Sequence, residues 1–179
     1  ATRNKGKAGE IQEILKGLSI EILTLNDFPE IPTPMEDGKT FEENALKKAR
    51  FVANHLNMVA LADDSGLEVD ALNKRPGIRS ARYAGENATD QENNRKLLKE
   101  LNGIPIEKRQ ACYRCVVALV FPSGREEVAE GRCRGFIALE PKGNRGFGYD
   151  PLFYVPEYGK TMAELSSEIK NRISHRGRA

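Results

Sequence analysis

The sequence of 179 residues lacks a long apolar run. No window approaches the roughly 18 consecutive apolar residues that span a membrane. No charged segment followed by an apolar stretch opens the chain, so nothing in it is typical of a secretory signal peptide. We therefore expect a cytoplasmic protein that does not bind a membrane. Because 39% of the residues are hydrophobic and 30% are charged, we expect one globular domain with a core of its own.

The sequence also lacks an excess of one charge sign, since it contains 28 Lys and Arg residues and 26 Asp and Glu residues. The molecule as a whole therefore lacks the field of a dedicated nucleic-acid-binding protein, and any site for a polyanion must be local. The densest positive cluster lies at residues 170–178 and includes Lys170, Arg172, His175 and Arg176. Taken alone, such a cluster is more typical of a solvated tail than of a site.

Cysteines are few, and their odd number, three, argues for reduced thiols rather than a disulfide framework. Cys112 and Cys115 form a C-x-x-C pattern within residues 111–121, which we predict to be a strand. Residues three apart on a strand point to opposite faces, so the pattern does not favour a zinc or redox site.

We expect the functional site at an apolar segment that is followed by two adjacent carboxylates. Residues 59–62 are apolar, and Asp63, Asp64, Ser65 and Gly66 follow, which predicts a strand that ends in a turn. Neighbouring carboxylates repel each other, so the fold must offset their charge with water, cationic side chains or a hard cation such as Mg²⁺. The alternative is a structural acidic turn, because these residue types favour turns.

Residues 2–7 form a polar turn that precedes a predicted helix. Such a turn offers backbone N–H groups to an anion, with Lys7 as a point charge, although it lacks the glycines and the G-K-[ST] ending of a Walker loop. The alternative role for Asn4 is simply to cap the helix.

Two more predictions concern secondary structure. Residues 20–25 alternate like a strand, and residues 111–121 and 126–139 predict a long hairpin that would form a second lobe. A helix with one apolar stripe is expected from Thr40 onward. Thr40 and Glu43 fit a capping box, which is the structural alternative for Glu43.

Residues 143–150 are rich in glycine, but no helix follows them, which excludes a dinucleotide fingerprint and leaves a mobile or ligand-contacting loop. Phe147 and Tyr149 have little neighbouring side chain to pack on, which favours stacking on a planar ligand. Carboxylates, cations and an aromatic plane together describe a nucleotide site. The anion-binding candidates are Thr2, Asn4, Lys7, Lys48 and Ser65.

Seven short motifs, in order along nearly the whole chain, closely resemble those of the inosine triphosphate pyrophosphatase family. They lie at residues 2–7, 40–45, 62–67, 76–82, 146–151, 163–165 and 170–176. The resemblance implies an elongated, two-lobed α/β structure with a long mixed central sheet, flanking helices and a cleft between the lobes. It also implies Mg²⁺-dependent hydrolysis of non-canonical purine nucleoside triphosphates (ITP, dITP, XTP) to monophosphate and pyrophosphate, which removes deaminated purines. The expected partners are the nucleotide and a second copy in a homodimer, without nucleic acid.

The resemblance further implies residue roles. Asp64 matches the proton acceptor and a metal ligand, Glu43 matches the second metal carboxylate, and Asp63 lies beside them as a further candidate ligand. The substrate-binding positions are Thr2, Asn4, Lys7, Lys48 and Ser65, with Phe147, Gly148, Tyr149, Asp150, Lys170, His175 and Arg176 around the base. The single domain at residues 1–179 is expected to be trimmed at both ends, because the family usually has an apolar strand before the Thr-x-Asn turn and a helix after the His-Arg pair.

A nucleotide- or RNA-binding module without turnover is the rival hypothesis, with the basic C-terminal cluster and Phe147 as a stacking platform. The adjacent carboxylates argue against it, because they would repel a polyanion unless a metal intervened. Hydrolysis at the γ-phosphate is a second rival, and no Walker loop supports it.

Overall fold

Four α-helices and one five-stranded sheet form the α/β fold that the sequence predicts, in a computed structural model that describes residues 1–179. The helices are α1 (Lys5–Ile14), α2 (Phe41–Leu56), α3 (Asp90–Glu100) and α4 (Ser167–Ile173). The strands are β1 (Ala60–Val69), β2 (Gln110–Val120), β3 (Glu126–Ile137), β4 (Phe153–Val155) and β5 (Lys160–Thr161). They follow one another in that order in an antiparallel sheet. Strands β2 and β3 are the predicted hairpin.

The chain divides into two compact units. The first unit comprises Ala1–Asp64, Cys115–Gly131 and His175–Ala179, and the second comprises Ser65–Arg114 and Arg132–Ser174. Helices α1 and α2 belong to the first unit, whereas α3 and α4 belong to the second. No helix is both long enough and apolar enough to cross a membrane.

The helices begin where their capping residues predict. Asn4 accepts the Lys7 N–H at 3.0 Å before α1, and Thr40 accepts the Glu43 N–H at 3.1 Å before α2. These bonds satisfy N–H groups that have no partner within the first turn of a helix. The local signals therefore set the starts of both helices.

The predicted strand at residues 20–25 is wrong. These residues have no strand pairing, and Ile20 and Leu23 are 55% and 42% exposed. Alternation of apolar residues indicates a strand only where a neighbouring strand takes up the backbone N–H and C=O groups. Residues 20–24 have no such ladder, and Leu25 donates its N–H to Thr2 at 3.2 Å.

The predicted acidic turn at residues 63–66 is also wrong, because β1 continues through these residues to Val69. Local turn preferences of Asp, Ser and Gly are weaker than pairing and burial within a sheet. As a result, Asp63 and Asp64 are strand residues, and both are buried.

The core of the second unit is apolar and continuous. Its fully buried members come from the sheet, from α3 and from the segment before β4. The largest are Leu67, Leu97, Leu101, Ile137, Leu152 and Phe153. The rings of Tyr113 and Phe153 lie 4.6 Å apart, centroid to centroid.

Arg109 joins two segments of this unit through three backbone carbonyls. Its buried guanidinium donates from Nε to Ile104 at 2.7 Å, from Nη2 to Leu101 at 2.9 Å and from Nη1 to Ala138 at 3.3 Å. One side chain thus closes the end of α3 and the end of β3 around the core.

The substitution Arg109→Met should lower the free energy of unfolding by about 3 kcal/mol, because it keeps the apolar stem but leaves three carbonyls without their donor. Urea unfolding measures the change. The matched control is Arg125→Met, since that side chain is 68% exposed and pairs with Glu127 at the surface. The control should change stability by less than about 0.5 kcal/mol. Equal effects of the two substitutions would contradict the role of Arg109.

Candidate active site

Asp63 and Asp64 lie side by side on β1, and their relative exposures are 2% and 5%. Successive side chains of a strand point to opposite faces of the sheet. The two carboxylates therefore meet different partners, all of them within the first unit. This arrangement separates two charges that the sequence places next to each other.

Asp63 is held by cations from two directions. Its Oδ2 lies 3.0 Å from Lys7 Nζ of α1 and accepts a hydrogen bond of 3.0 Å from Nη2 of Arg176. Arg176 also pairs with Glu10 of α1, and Sγ of Cys115 lies 3.9 Å from the same Asp63 oxygen. Burial by itself would raise the pKa of Asp63, but the charges of Lys7 and Arg176 outweigh burial and hold the pKa well below its ordinary value.

Asp64 faces α2 instead. Asn44 and Lys48 lie one turn apart on this helix, and Nδ2 of Asn44 donates to Asp64 Oδ2 at 2.9 Å. Lys48 Nζ is 3.6 Å from Asp64 Oδ1 and 2.6 Å from Oε1 of Glu36. Burial raises the pKa of Asp64, and the attraction of Lys48 does not cancel that effect. The carboxylates of Asp64 and Glu36 raise the pKa of Lys48 despite its burial.

The two neighbouring carboxylates thus have pKa values shifted in opposite directions. Such divergence separates a group that stays ionised from a group that takes up a proton more readily. Asp63 is the member that favours the ionised form, in ion pairs with Lys7 and Arg176. Asp64 is the better proton acceptor.

Sequence reasoning missed two residues of this group, Asn44 and Glu36. Asn44 is fully buried, and its Oδ1 accepts the Gly38 N–H at 2.8 Å while its Nδ2 contacts Asp64. Its spacing of four residues from Lys48, beside an apolar stripe, was a usable signal. Glu36 carries no local signal, because the fold of the loop before α2 brings it to Lys48.

Glu43 does not join these residues. Its exposed side chain accepts the Lys39 N–H at 2.7 Å through Oε2, a contact at the start of α2 that resembles its capping alternative. Its role as a metal ligand stays a prediction. No three or more His, Cys, Asp or Glu side chains form a group that could hold a metal ion.

The predicted triphosphate turn lies at the start of α1. Oγ1 of Thr2 accepts the Asn4 N–H at 3.1 Å, and Asn4 in turn caps the helix. The cap positions α1 so that Lys7 reaches Asp63. Ser65 follows Asp64 on β1 and is half-buried.

In the second unit, the structure brings together Phe147, Asp150 and Lys170. Lys170 forms an ion pair with Asp150, its Nζ lies 4.9 Å from the centroid of the Phe147 ring, and Asp150 accepts the Phe147 N–H at 2.9 Å. Tyr149 is buried and donates its hydroxyl to the Ser80 carbonyl at 2.8 Å, so its role in the fold is that of an anchor.

Gly148 belongs to the same loop, and α3 holds its backbone. His175 and Arg176 are buried residues of the first unit, where Arg176 contacts Asp63.

Because the pKa values of Asp63 and Asp64 are shifted in opposite directions, the substitution of Asp by Asn should affect stability differently at the two positions. Asp63→Asn should lower the free energy of unfolding by about 3 to 5 kcal/mol, because the buried Arg176 and the half-buried Lys7 would then face a neutral partner. Asp64→Asn should leave stability unchanged or raise it, because the fold disfavours the ionised form of that carboxyl. Urea unfolding at pH 7 measures both, and each substitution is the control for the other. A larger loss for Asp64→Asn would contradict this assignment.

Comparison with known proteins gives a family match over the whole chain. The Ham1 family model matches residues 1–179. A protein named dITP/XTP pyrophosphatase from Geobacter sulfurreducens is 59% identical over 179 residues, which cover 100% of this chain and 90% of the relative. A protein of the same name from Desulforamulus reducens is 54% identical, with 100% and 89% covered.

Solved structures agree with that match. The HAM1 protein from Coxiella burnetii superposes with a TM-score of 0.89 at 46% identity, and the match covers 99% of this chain and 91% of that one. The Staphylococcus aureus Ham1 protein gives a TM-score of 0.87 at 44% identity, with the same coverage of 99% and 91%.

Proposed function

Because the chain belongs to the Ham1 family, we propose that it hydrolyses dITP, ITP and XTP to the nucleoside monophosphate and pyrophosphate. The observation that carries the proposal is the buried Asp64, whose pKa is raised beside the cation of Lys48. A proton acceptor next to a fixed positive charge suits the attack of water on a phosphorus atom. The enzyme would thereby remove deaminated purines from the nucleotide pool.

Asp64 takes the proton of the attacking water. The water oxygen forms a bond to the α-phosphorus, the bond from this phosphorus to the bridging oxygen breaks, and pyrophosphate leaves. Asn44 orients the carboxylate through its hydrogen bond to Oδ2, while Oδ1 lies toward Lys48. Orientation of this kind contributes because the acceptor must already face the water when the barrier is crossed.

Lys48 offsets charge on the phosphates. Its Nζ is shared by Glu36 and Asp64, so its charge is retained although the side chain is buried. A phosphate oxygen can replace one of these carboxylate contacts without leaving the ammonium group unpaired. Lys7 supplies a second positive charge from the first turn of α1, where backbone N–H groups also favour an anion.

Mg²⁺ is the cofactor in this proposal. Asp64 and Glu36 would hold it, because hard carboxylate oxygens are the ligands that Mg²⁺ prefers and both groups approach the same ammonium of Lys48. Two carboxylates suffice, since this ion commonly completes its coordination with substrate phosphates and water. When bound, it neutralises phosphate charge and makes bound water more acidic. Asp63 is a poorer candidate, because Lys7 and Arg176 both contact its Oδ2.

The resemblance also predicts a homodimer, and the composition predicts a cytoplasmic protein that binds neither nucleic acid nor membrane. These stay predictions. Light scattering on the purified protein measures the oligomeric state.

The substitution Asp64→Asn should reduce hydrolysis of ITP at least about 100-fold, because the amide keeps the shape of the side chain but cannot accept the proton. Pyrophosphate release at matched Mg²⁺ measures the loss. The control is Asp37→Asn, an exposed residue whose carboxylate pairs with Lys47 at the surface, and it should retain full turnover. Full activity of Asp64→Asn would remove Asp64 from the mechanism.

Attack at the α-phosphorus predicts where the oxygen of water goes. Hydrolysis of ITP in ¹⁸O-labelled water should place the label in inosine monophosphate and leave the pyrophosphate unlabelled. Mass spectrometry of both products measures it. Label in the pyrophosphate would mean attack at the β-phosphorus and would refute the proposed reaction.

A further inference from the structure

The loop that carries Phe147 is held in one conformation by contacts with its neighbours in the second unit. Asp150 accepts the Phe147 N–H and forms an ion pair with Lys170. A Cβ atom on Gly146, whose φ is +74°, would collide with Oδ2 of Asp150. The ring of Phe147 therefore sits on a backbone that folds tightly around one carboxylate.

Helix α3 holds the next residue of this loop, Gly148, through both of its backbone polar groups. The Gly148 N–H donates to Oδ2 of Asp90 at 2.7 Å, and Nδ2 of Asn94 donates to the Gly148 carbonyl at 3.0 Å. Asp90 and Asn94 lie four residues apart, so their side chains occupy the same face of the helix. We call these two side chains the α3 clamp.

The clamp is not needed to build the helix. Thr89 and Glu92 form a complete capping box at its start, so Asp90 is not required as a cap. Leu97 and Asn93 are the buried residues of α3. Oδ1 of Asn94 is buried without a hydrogen-bond partner, which is an unfavourable position for a polar atom. Asn94 is nevertheless placed so that its amide meets Gly148.

We propose that Asp90 and Asn94 are positioning residues that fix the plane of Phe147 for stacking of the purine base. The inference rests on the proposed function, because it assigns the stacking plane to that substrate. Both residues act through the backbone of Gly148. The clamp therefore affects binding of the base and leaves the chemical step unchanged. Because every purine offers a flat face, the clamp should act equally on binding of ITP and of ATP.

Hydrogen exchange and kinetics together test the clamp. Asp90→Ala should increase amide exchange within residues 143–150 and raise KM for ITP about tenfold, the effect of one lost hydrogen bond to a charged group, with kcat within a factor of about two. Asp90→Asn keeps an acceptor oxygen and should restore most of the KM. Asn94→Asp loses the donor with little change in size and should resemble Asp90→Ala. Gln91→Ala, at an exposed position of the same helix, is the matched control and should change nothing.

The outcomes separate the clamp from the proposed function. Unchanged exchange at residues 143–150 in both Asp90→Ala and Asn94→Asp would overturn the clamp. Faster exchange with an unchanged KM would overturn the positioning role of the clamp. A change in the ratio of kcat/KM for ITP to kcat/KM for ATP, relative to wild type, would overturn the assignment to the stacking plane, because the clamp would then act on the edge of the base. If wild-type protein failed to hydrolyse ITP, the proposed function would fall, whereas the exchange result would still decide whether the clamp orders the loop. Should Asp90→Ala not fold, Asn94→Asp gives the same decision.

Discussion

The buried pairing of Asp63 with Lys7 and Arg176 is the constraint on which the candidate site depends. A carboxylate with 2% exposure is tolerated only with opposite charges and hydrogen bonds around it, because an unpaired buried charge costs several kcal/mol. The charges alternate in sign along a chain of ion pairs that runs from Glu10 through Arg176 and Asp63 to Lys7. They join α1, β1 and the C-terminal segment of the first unit. Burying Asp63 in this way turns its neighbour, Asp64, to the other face of the strand.

That geometry explains how two adjacent aspartates acquire different chemistry. A strand places consecutive side chains in separate environments, so the environments rather than the residue types set the pKa values. Lys7, Arg176 and, to a smaller extent, Lys48 stabilise the ionised form of Asp63. The charges of Lys48 and Lys7 and the neutral amide of Asn44 do not offset the burial of Asp64. The same residue type therefore gives a structural ion pair on one face and a proton acceptor on the other, as in other sites where paired carboxylates divide their roles.

The sequence predicted features whose cause is local, and missed those set by distant segments. Helix starts at Asn4 and Thr40 were predictable, because capping involves residues only three positions apart. The hairpin of β2 and β3 was predictable for the same reason. The continuation of β1 through Asp63 and Asp64 was not predictable, since its pairing with β2 overrides the local preference of these residues for a turn. The proximity of Glu36 to Lys48 depends on how a loop returns to α2, which no spacing in the sequence encodes.

Three asparagines show how the loops of this protein are fixed without adding charge. Asn44 accepts a hydrogen bond from the N–H of Gly38, and Asn93 accepts one from the N–H of Ala84. Asn94 donates to the carbonyl of Gly148. Each side chain lies on a helix and has both a donor and an acceptor, so it can bind a neighbouring backbone while remaining neutral. Neutrality matters most at Asn44, which also contacts Asp64. An aspartate there would add a repulsion that raises the pKa of Asp64 further, whereas a lysine would lower it and weaken the proton acceptor. An amide holds the loop and the carboxylate together with the smallest change to the proton affinity on which the proposed reaction depends.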